Sequence, residues 1–400
     1  MTYDVHKIRS HFPSLNTGLA FFCGPGGSQV PLVVGAAIAH AITKPISNRN
    51  TNTESEKNAE EYVLGFRQAV GDLIDVDPRG VVYGRSWTQL TYDFSRTLAK
   101  NWGPGDEVVV SRLDHDSNVR PWIQAAEAVG ATIRWAELDT KTTEISVAAV
   151  EAVLSSKTKL VAITGAGNTI GTRPDLKAIG AAVHKMGALF FVDGVHLTPH
   201  AAISVKDIGA DFFGFSFYKL MGPHCAALAA SPALLETLSN DKLLPATNIV
   251  PERFEFGTLP YELMAGCIAA VNFISEMAPG NGVTRREKIV NSMNALEKYE
   301  DELLEYLESS VAALPGVTLY GKAKHRTPTI YFSFAGHDSV DIYKAMALKS
   351  VTLPASNFYA LEVSRALGLG DAGALRAGLA PYSTRDDVDR LIAGLKELIA

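Results

Sequence analysis

Cysteine is scarce in this chain: three among 400 residues, Cys23, Cys225 and Cys267, far apart and with no CxxC pair. That excludes a disulfide framework and a structural zinc site of the usual spacing, and it suits a reducing compartment. A large surplus of either charge is also missing. Lys and Arg number 37 against 43 Asp and Glu, a formal net charge of −6. No run of Lys and Arg offers a footprint for a phosphate backbone, so nucleic acid is not an expected partner. No uninterrupted apolar stretch reaches the roughly 18–20 residues that a membrane helix needs. The first twenty residues, MTYDVHKIRSHFPSLNTGLA, hold charges where a secretory signal needs an apolar centre. The expectation is a soluble cytoplasmic protein.

What is present points to an enzyme. The hydrophobic fraction is 47% and the charged fraction 20%, the balance of a globular chain rather than a disordered one. Four hundred residues exceed one simple core at about 100–200 residues per domain. Short, continuously apolar runs recur: GVVYG (80–84), DEVVVS (106–111), ATIRWAEL (131–138), KLVAIT (159–164), ALFFVD (188–193), DFFGFS (211–216) and CAALAA (225–230). Strands buried on both faces read this way. Helical stretches separate most of them, which predicts an α/β fold with a mainly parallel sheet between helices. The last three runs have little helix between them, so some mixing of strand direction is expected. From about residue 276 the texture changes to a long helical stretch and a smaller α+β unit. The expected division is a large domain over 15–275 and a small one over 276–400, joined by an N-terminal arm, 1–14.

One constellation is a decoy. GAGNTIG (165–171) follows a strand, and Asp193 ends the next, 22 residues after Gly171. This mimics a dinucleotide fingerprint. Pro174 best fits the first turn of the following helix, so that helix begins after the glycines and not within them. Nicotinamide binding is left as a minor reading.

A second constellation carries more. Lys219, in FGFSFYKLMGPH (213–224), ends an apolar run. Most lysines there are solvated loop residues, but one in a dry pocket has a lowered pKa and can form a Schiff base. Asp193 ends a buried strand, where open α/β sheets place their ligands. A carboxylate and a strand-end lysine about 25 residues apart suit pyridoxal phosphate: the lysine binds the aldehyde and the acid keeps the pyridine nitrogen protonated. His115, in LDHDSNVRPW (113–122), can stack on a planar ring or be an ordinary loop histidine. Ser86, in YGRSWT (83–88), can help receive a phosphate at a helix N-terminus or simply cap that helix.

Together these segments resemble the class V aminotransferases, in the fold-type I pyridoxal-phosphate group, and specifically their cysteine desulfurase-like branch. The central signature reads VDGVHLTPHAAISVKDIGADFFGFSFYKLMGP (192–223). The resemblance implies that Lys219 is the Schiff-base lysine, Asp193 the pyridine-nitrogen partner and His115 the stacking histidine. Asn168 matches the asparagine near the cofactor's phenolic oxygen. His196 stands where desulfurases usually carry glutamine. Ser86, Trp87 through its backbone, Ser216 and Tyr218 map onto the phosphate cup. FEFGTL (254–259) resembles the segment that lends a threonine, here Thr258, to a second subunit, which implies a homodimer with shared sites. Arg376, in LRAGLAPYST (375–384), matches the arginine that grips the substrate carboxylate.

One departure stands out. The loop that carries the reactive cysteine in desulfurases reads PASNFYALEV (354–363), with Tyr359 near the expected position and no cysteine. Cys225 reads as core, and Cys23 sits in a different loop. The expected activity is a C–S or β-lyase type reaction on a small amino acid. Transamination, epimerisation and a catalytically silent cofactor-binding dimer are the alternatives.

Overall fold

The computed structural model describes residues 3–399; Met1, Thr2 and Ala400, which the expected arm and small domain include, lie outside the described residues. A short strand β1 (Ala20–Phe21) leads into the large sheet, made of β2 (Val81–Gly84), β3 (Glu107–Ser111), β4 (Thr132–Ala136), β5 (Thr158–Thr164), β6 (Leu189–Asp193), β7 (Phe212–Ser216) and β8 (Ala226–Ala230). The order across the sheet is β2-β8-β7-β6-β5-β3-β4. The pairings β7–β6, β6–β5, β5–β3 and β3–β4 are parallel. Strand β8 runs antiparallel to both of its neighbours, the mixing that the crowded final runs predict.

Burial explains why the central runs lack alternation; ATIRWAEL departs from that expectation, because β4 is an edge strand on which Thr132 and Arg134 are exposed. Phe190, Phe191, Phe212, Phe213 and Phe215 are all fully buried. Phe190, Phe213 and Phe215 pack into the apolar core on one face, while Phe191 and Phe212 pack into the other. Truncating one such ring would cost about 3–5 kcal/mol, so the central strands form a stiff floor.

A smaller sheet follows: β9 (Val317–Tyr320), β10 (Thr329–Phe334), β12 (Ala355–Ser356) and β13 (Ala374–Gly378), in the order β12-β13-β10-β9 and antiparallel throughout. Strand β11 (Val351–Thr352) pairs with β1 instead. The helix Arg285–Ala312 begins with a capping box between Thr284 and Glu287, the two-way cap that satisfies orphan N–H groups at a helix start. This helix contributes to the main core through Ile289, Met293 and Leu296, and to the smaller sheet's core through Leu303, Leu307 and Val311. The final helix, Arg385–Ile399, is opened by Thr384, whose hydroxyl exchanges hydrogen bonds with Asp387. Among the described residues no helix is long and apolar enough to cross a membrane.

Two local expectations need correction. Pro174 stands one residue before the N-cap, Asp175, and outside the helix Leu176–Lys185. The Asp175 side chain accepts from Ala178 N–H and does the starting. Cys225 lies just ahead of β8 and not inside it. It is buried as expected, with its sulfur 3.2 Å from that of Cys267.

Candidate active site

The carboxyl ends of β2, β3, β5, β6 and β7 deliver Ser86, His115, Asn168, Asp193 and Lys219 to one edge of the sheet, the edge where open α/β folds bind ligands. Two adjoining cavities occupy it. The inner one, about 70 Å³, is lined among others by Ser86, Trp87, Asn168, Asp193, His196 and Ser216. The outer one, about 610 Å³, adds Tyr92, Arg120, Phe358, Tyr359 and Arg376. His115, Asn168, Tyr218 and Lys219 line both. The sequence-derived set therefore converges, with one exception. Thr258 is exposed and lines neither cavity.

Asp193 is held by two hydrogen bonds. Its Oδ1 accepts from the Val195 N–H at 2.9 Å and its Oδ2 from the Trp87 indole N–H at 2.7 Å. Burial pushes its pKa up to about 6, against these donors and the Lys219 charge, which pull the other way. The indole contact adds to the backbone role expected of Trp87, since its side chain is aimed at the acid. The reason is local. Trp87 lies in the first turn of the helix Trp87–Ala99, and its ring rests on Gly214, where a Cβ would come within 1.9 Å of it. Only glycine on β7 lets the indole pass beneath the strand and reach Asp193.

Lys219 is only 7% exposed. Burial first, then the Arg376 charge, push it down to about 8, opposed by Asp193. The residues beside it are pinned from the N-terminal loop. Ser28 N–H donates to the Tyr218 carbonyl at 2.9 Å, and Met221 N–H donates to the Ser28 hydroxyl at 2.7 Å. Ser86 is an ordinary N-cap, accepting from Gln89 N–H at 3.1 Å. Its hydroxyl proton remains available at that helix N-terminus, where an anion is favoured.

His115 receives the Ser117 N–H on Nδ1 at 3.1 Å, which leaves the ring proton of the neutral form on Nε2. Burial, then Lys219 and Arg376, push its pKa down to about 3, so the ring is uncharged at neutral pH. In this structure it stacks on Tyr359, ring centroids 5.5 Å apart and 29° between planes. Its loop is anchored by the buried Asp114, which accepts from Asn118 Nδ2 at 2.7 Å and bonds the Ser111 hydroxyl.

Arg376 is stacked on Phe358 at 3.7 Å to the ring centroid and donates to the Asn168 carbonyl at 3.0 Å. The Asn168 amide in turn donates to the Phe358 carbonyl at 2.9 Å. Burial pushes the guanidinium down to about 9, and it remains charged at pH 7. Three buried polar atoms here have no partner: Arg376 Nε, Asn168 Oδ1 and His196 Nδ1. Buried polar groups left unpaired are costly, and these three belong to residues that line the cavities. Arg376 Nε–H fits a ligand carboxylate, His196 a phenolic oxygen, and Asn168 Oδ1, an acceptor, a ligand hydroxyl or ammonium proton. Sequence reasoning missed the Trp87 indole, Asp114, Tyr92 and Phe358. Phe358 was legible only as a neighbour of Tyr359, since nothing in a linear chain places it against an arginine 18 residues on.

A model of the aminotransferase class-V family matches residues 20–391. An aminotransferase-like protein of Gibberella zeae is 30% identical over 413 residues, across 100% of this chain and 99% of that one. A cysteine desulfurase of Klebsiella pneumoniae is 28% identical over 423 residues, across 100% and 99%. Among solved structures, a cysteine desulfurase of Escherichia coli superposes with a TM-score of 0.88 at 23% identity, covering 100% of both chains. That likeness establishes the fold: a large, mainly parallel sheet flanked by helices, with a smaller sheet domain. The chain thus belongs to the class V aminotransferases and is a pyridoxal-phosphate-dependent enzyme of that family.

Proposed function

We propose that this enzyme breaks a bond at Cβ of a small, sulfur-bearing amino acid, releasing the sulfur without parking it on the protein. The observation that carries this is the pairing of a dry Lys219–Asp193 site with a tyrosine where the desulfurase thiol is expected. Pyridoxal phosphate, when bound, supplies a carbonyl that captures the amino group and a ring that takes up the electrons of a broken bond at Cα. Asp193 would hold its ring nitrogen charged. Ser86, Ser216, Tyr218 and the backbone at Trp87 would receive its phosphate. Asn168 and His196 would neighbour its phenolic oxygen, and His115 would stack on the ring.

The remaining roles follow from the chain's own groups. Arg376, fixed by Phe358 and the Asn168 carbonyl, binds the α-carboxylate and orients Cα toward Lys219. The Lys219 amine, with a pKa near neutrality, takes the Cα proton. The Cβ–S bond then breaks with its electron pair leaving on sulfur, and a proton from the Tyr359 phenol or from water completes the sulfide. The carbon skeleton leaves as pyruvate and ammonia after adding water. The outer cavity's lining includes no cysteine among the described residues, and thiolate is what sulfur acceptance requires. The resemblance carried by FEFGTL supports a homodimer in which Thr258, exposed in one subunit, completes the partner's site.

The test is incubation with cysteine, with persulfides trapped by alkylation and alanine separated from pyruvate. The expected result is sulfide and pyruvate with no protein persulfide. Alanine formed in step with a persulfide on Cys23 or Cys225 defeats the proposal. Borohydride should fix the cofactor's label on Lys219; a label on another lysine defeats the site assignment.

A further inference from the structure

His196 is buried, and its ring is contacted by two hydroxyls from beyond the large sheet. Its Nε2 lies 3.1 Å from Thr329 Oγ1 and 3.0 Å from Thr327 Oγ1. Thr329 opens β10 of the small sheet and Thr327 is in the turn before it. A neutral imidazole carries one N–H. The Thr327 hydroxyl has a second acceptor, the Gly171 carbonyl at 3.3 Å. Thr329 Oγ1 is fully buried and has only His196 in reach. If Nε2 carried the ring proton and gave it to Thr329, the Thr329 hydroxyl proton would be left buried without an acceptor, at about 1–3 kcal/mol. If Nε2 is bare, Thr329 donates to it and Thr327 donates to Gly171 or to the same nitrogen, so both hydroxyl protons are placed and only the ring proton is left without a partner in the protein. The ring proton is then on Nδ1, the unpartnered atom of a side chain that lines the inner cavity.

The surroundings keep the ring neutral. Burial, then the His200 ring edge, Lys219 and Arg376, hold His196 well below the usual imidazole range. His200 meets it edge-on, with centroids 5.3 Å apart, and is itself bonded through Nδ1 to the buried Glu300 at 2.8 Å.

We propose that Thr329, assisted by Thr327, is a positioning residue that fixes His196 as the Nδ1–H tautomer. A strand of the small sheet thereby sets the proton donor offered to the cofactor's phenolic oxygen. This rests on the reading of His196 as that oxygen's neighbour. It also gives the histidine a reason to stand where a glutamine is usual. A glutamine amide always has a donor to offer, whereas a histidine's donor edge is chosen by what binds the other nitrogen.

The test has two arms. In the cofactor-free protein, ¹⁵N-histidine NMR should show His196 with a protonated Nδ1 and a bare Nε2 in the wild type. Mixed tautomers are expected in Thr329→Val and in the Thr327→Val/Thr329→Val double variant, with Thr329→Ser restoring the wild-type signal. A protonated Nε2 in the wild type, or an unchanged tautomer in the double variant, overturns the proposal. In the second arm, pyridoxal phosphate is added and the pH midpoint of its visible band is followed. Losing a donor to the ionised oxygen should move that midpoint up by about one unit in the double variant, a tenfold change. A normal band on Lys219 with an unmoved midpoint overturns this proposal and leaves the cofactor assignment standing. A wild type that forms no band overturns the cofactor assignment, and the tautomer signal then alone upholds or overturns the role of the threonines.

Discussion

The floor of the site and the loop opposite it are built on different physical terms. At the floor, β7 is buried throughout and β6 from Phe190 onward, and they deliver Asp193 at the end of one strand and Lys219 in the turn just past the other. Across from them, residues 354–360 hold two consecutive non-glycine residues in left-handed backbone, Phe358 at φ 52° and Tyr359 at φ 60°. That conformation is costly for side chains with a Cβ. It is held by the Asn357 side chain, which accepts from Tyr359 N–H at 2.9 Å, and by the Tyr359 carbonyl, which accepts from Asp116 N–H at 2.7 Å. Phe358 turns inward onto Arg376, while Tyr359 is 73% exposed. The contrast separates two tasks. The floor fixes charge, which needs dry, immovable groups. In the proposed reaction the loop would steer the outcome, and a change there need not disturb the core.

Substitutions can break or sharpen that contrast, and the largest effect is expected at the floor. Asp193→Ala should cut the α-proton exchange rate by about three decades, each decade being about 1.4 kcal/mol. It should also weaken cofactor affinity. Near-normal exchange would leave the acid a structural part only. Arg376→Lys is next. A point charge replaces a stacked, two-pronged donor, so KM for the amino acid should rise about ten- to a hundredfold with kcat less affected. An unchanged KM would place the carboxylate elsewhere. At the loop, Tyr359→Phe keeps the ring against His115 and removes one proton donor. The expected loss is roughly tenfold in kcat with KM unaltered, and a steady-state comparison with Tyr359→Ala separates phenol from ring.

The smallest effect is on stability without cofactor. Asp193 titrates near 6 in the folded protein against an ordinary 3.8, so the fold loses stability as pH rises from about 4 to 6. Lys219 titrates near 8 against 10.5, so stability returns as pH rises from about 8 to 10.5. Between 6 and 8 both charges are buried together. Thermal melts of cofactor-free protein should show a shallow trough there, flattened in the Asp193→Asn variant. A trough that persists in that variant would assign it to other groups.

Much of this was legible along the chain. Continuously apolar runs announced buried strands because both faces of the large sheet are covered. Asp193 and Lys219 could be paired from sequence because each ends a run, and successive parallel strands bring their ends to the same edge. The missing cysteine in PASNFYALEV needed no structure to notice. What the chain could not tell is which groups meet across long separations. The Trp87 indole reaches an acid 106 positions away only because Gly214 leaves room beneath it. His196 is bound to hydroxyls 131 and 133 positions on, and Phe358 finds the face of Arg376 through the turn that its own left-handed backbone makes. Periodicity and strand ends are local properties, set by burial along one element. Tautomers, stacking partners and orphaned atoms depend on where separate elements come to rest, and only the packed tertiary structure decides that.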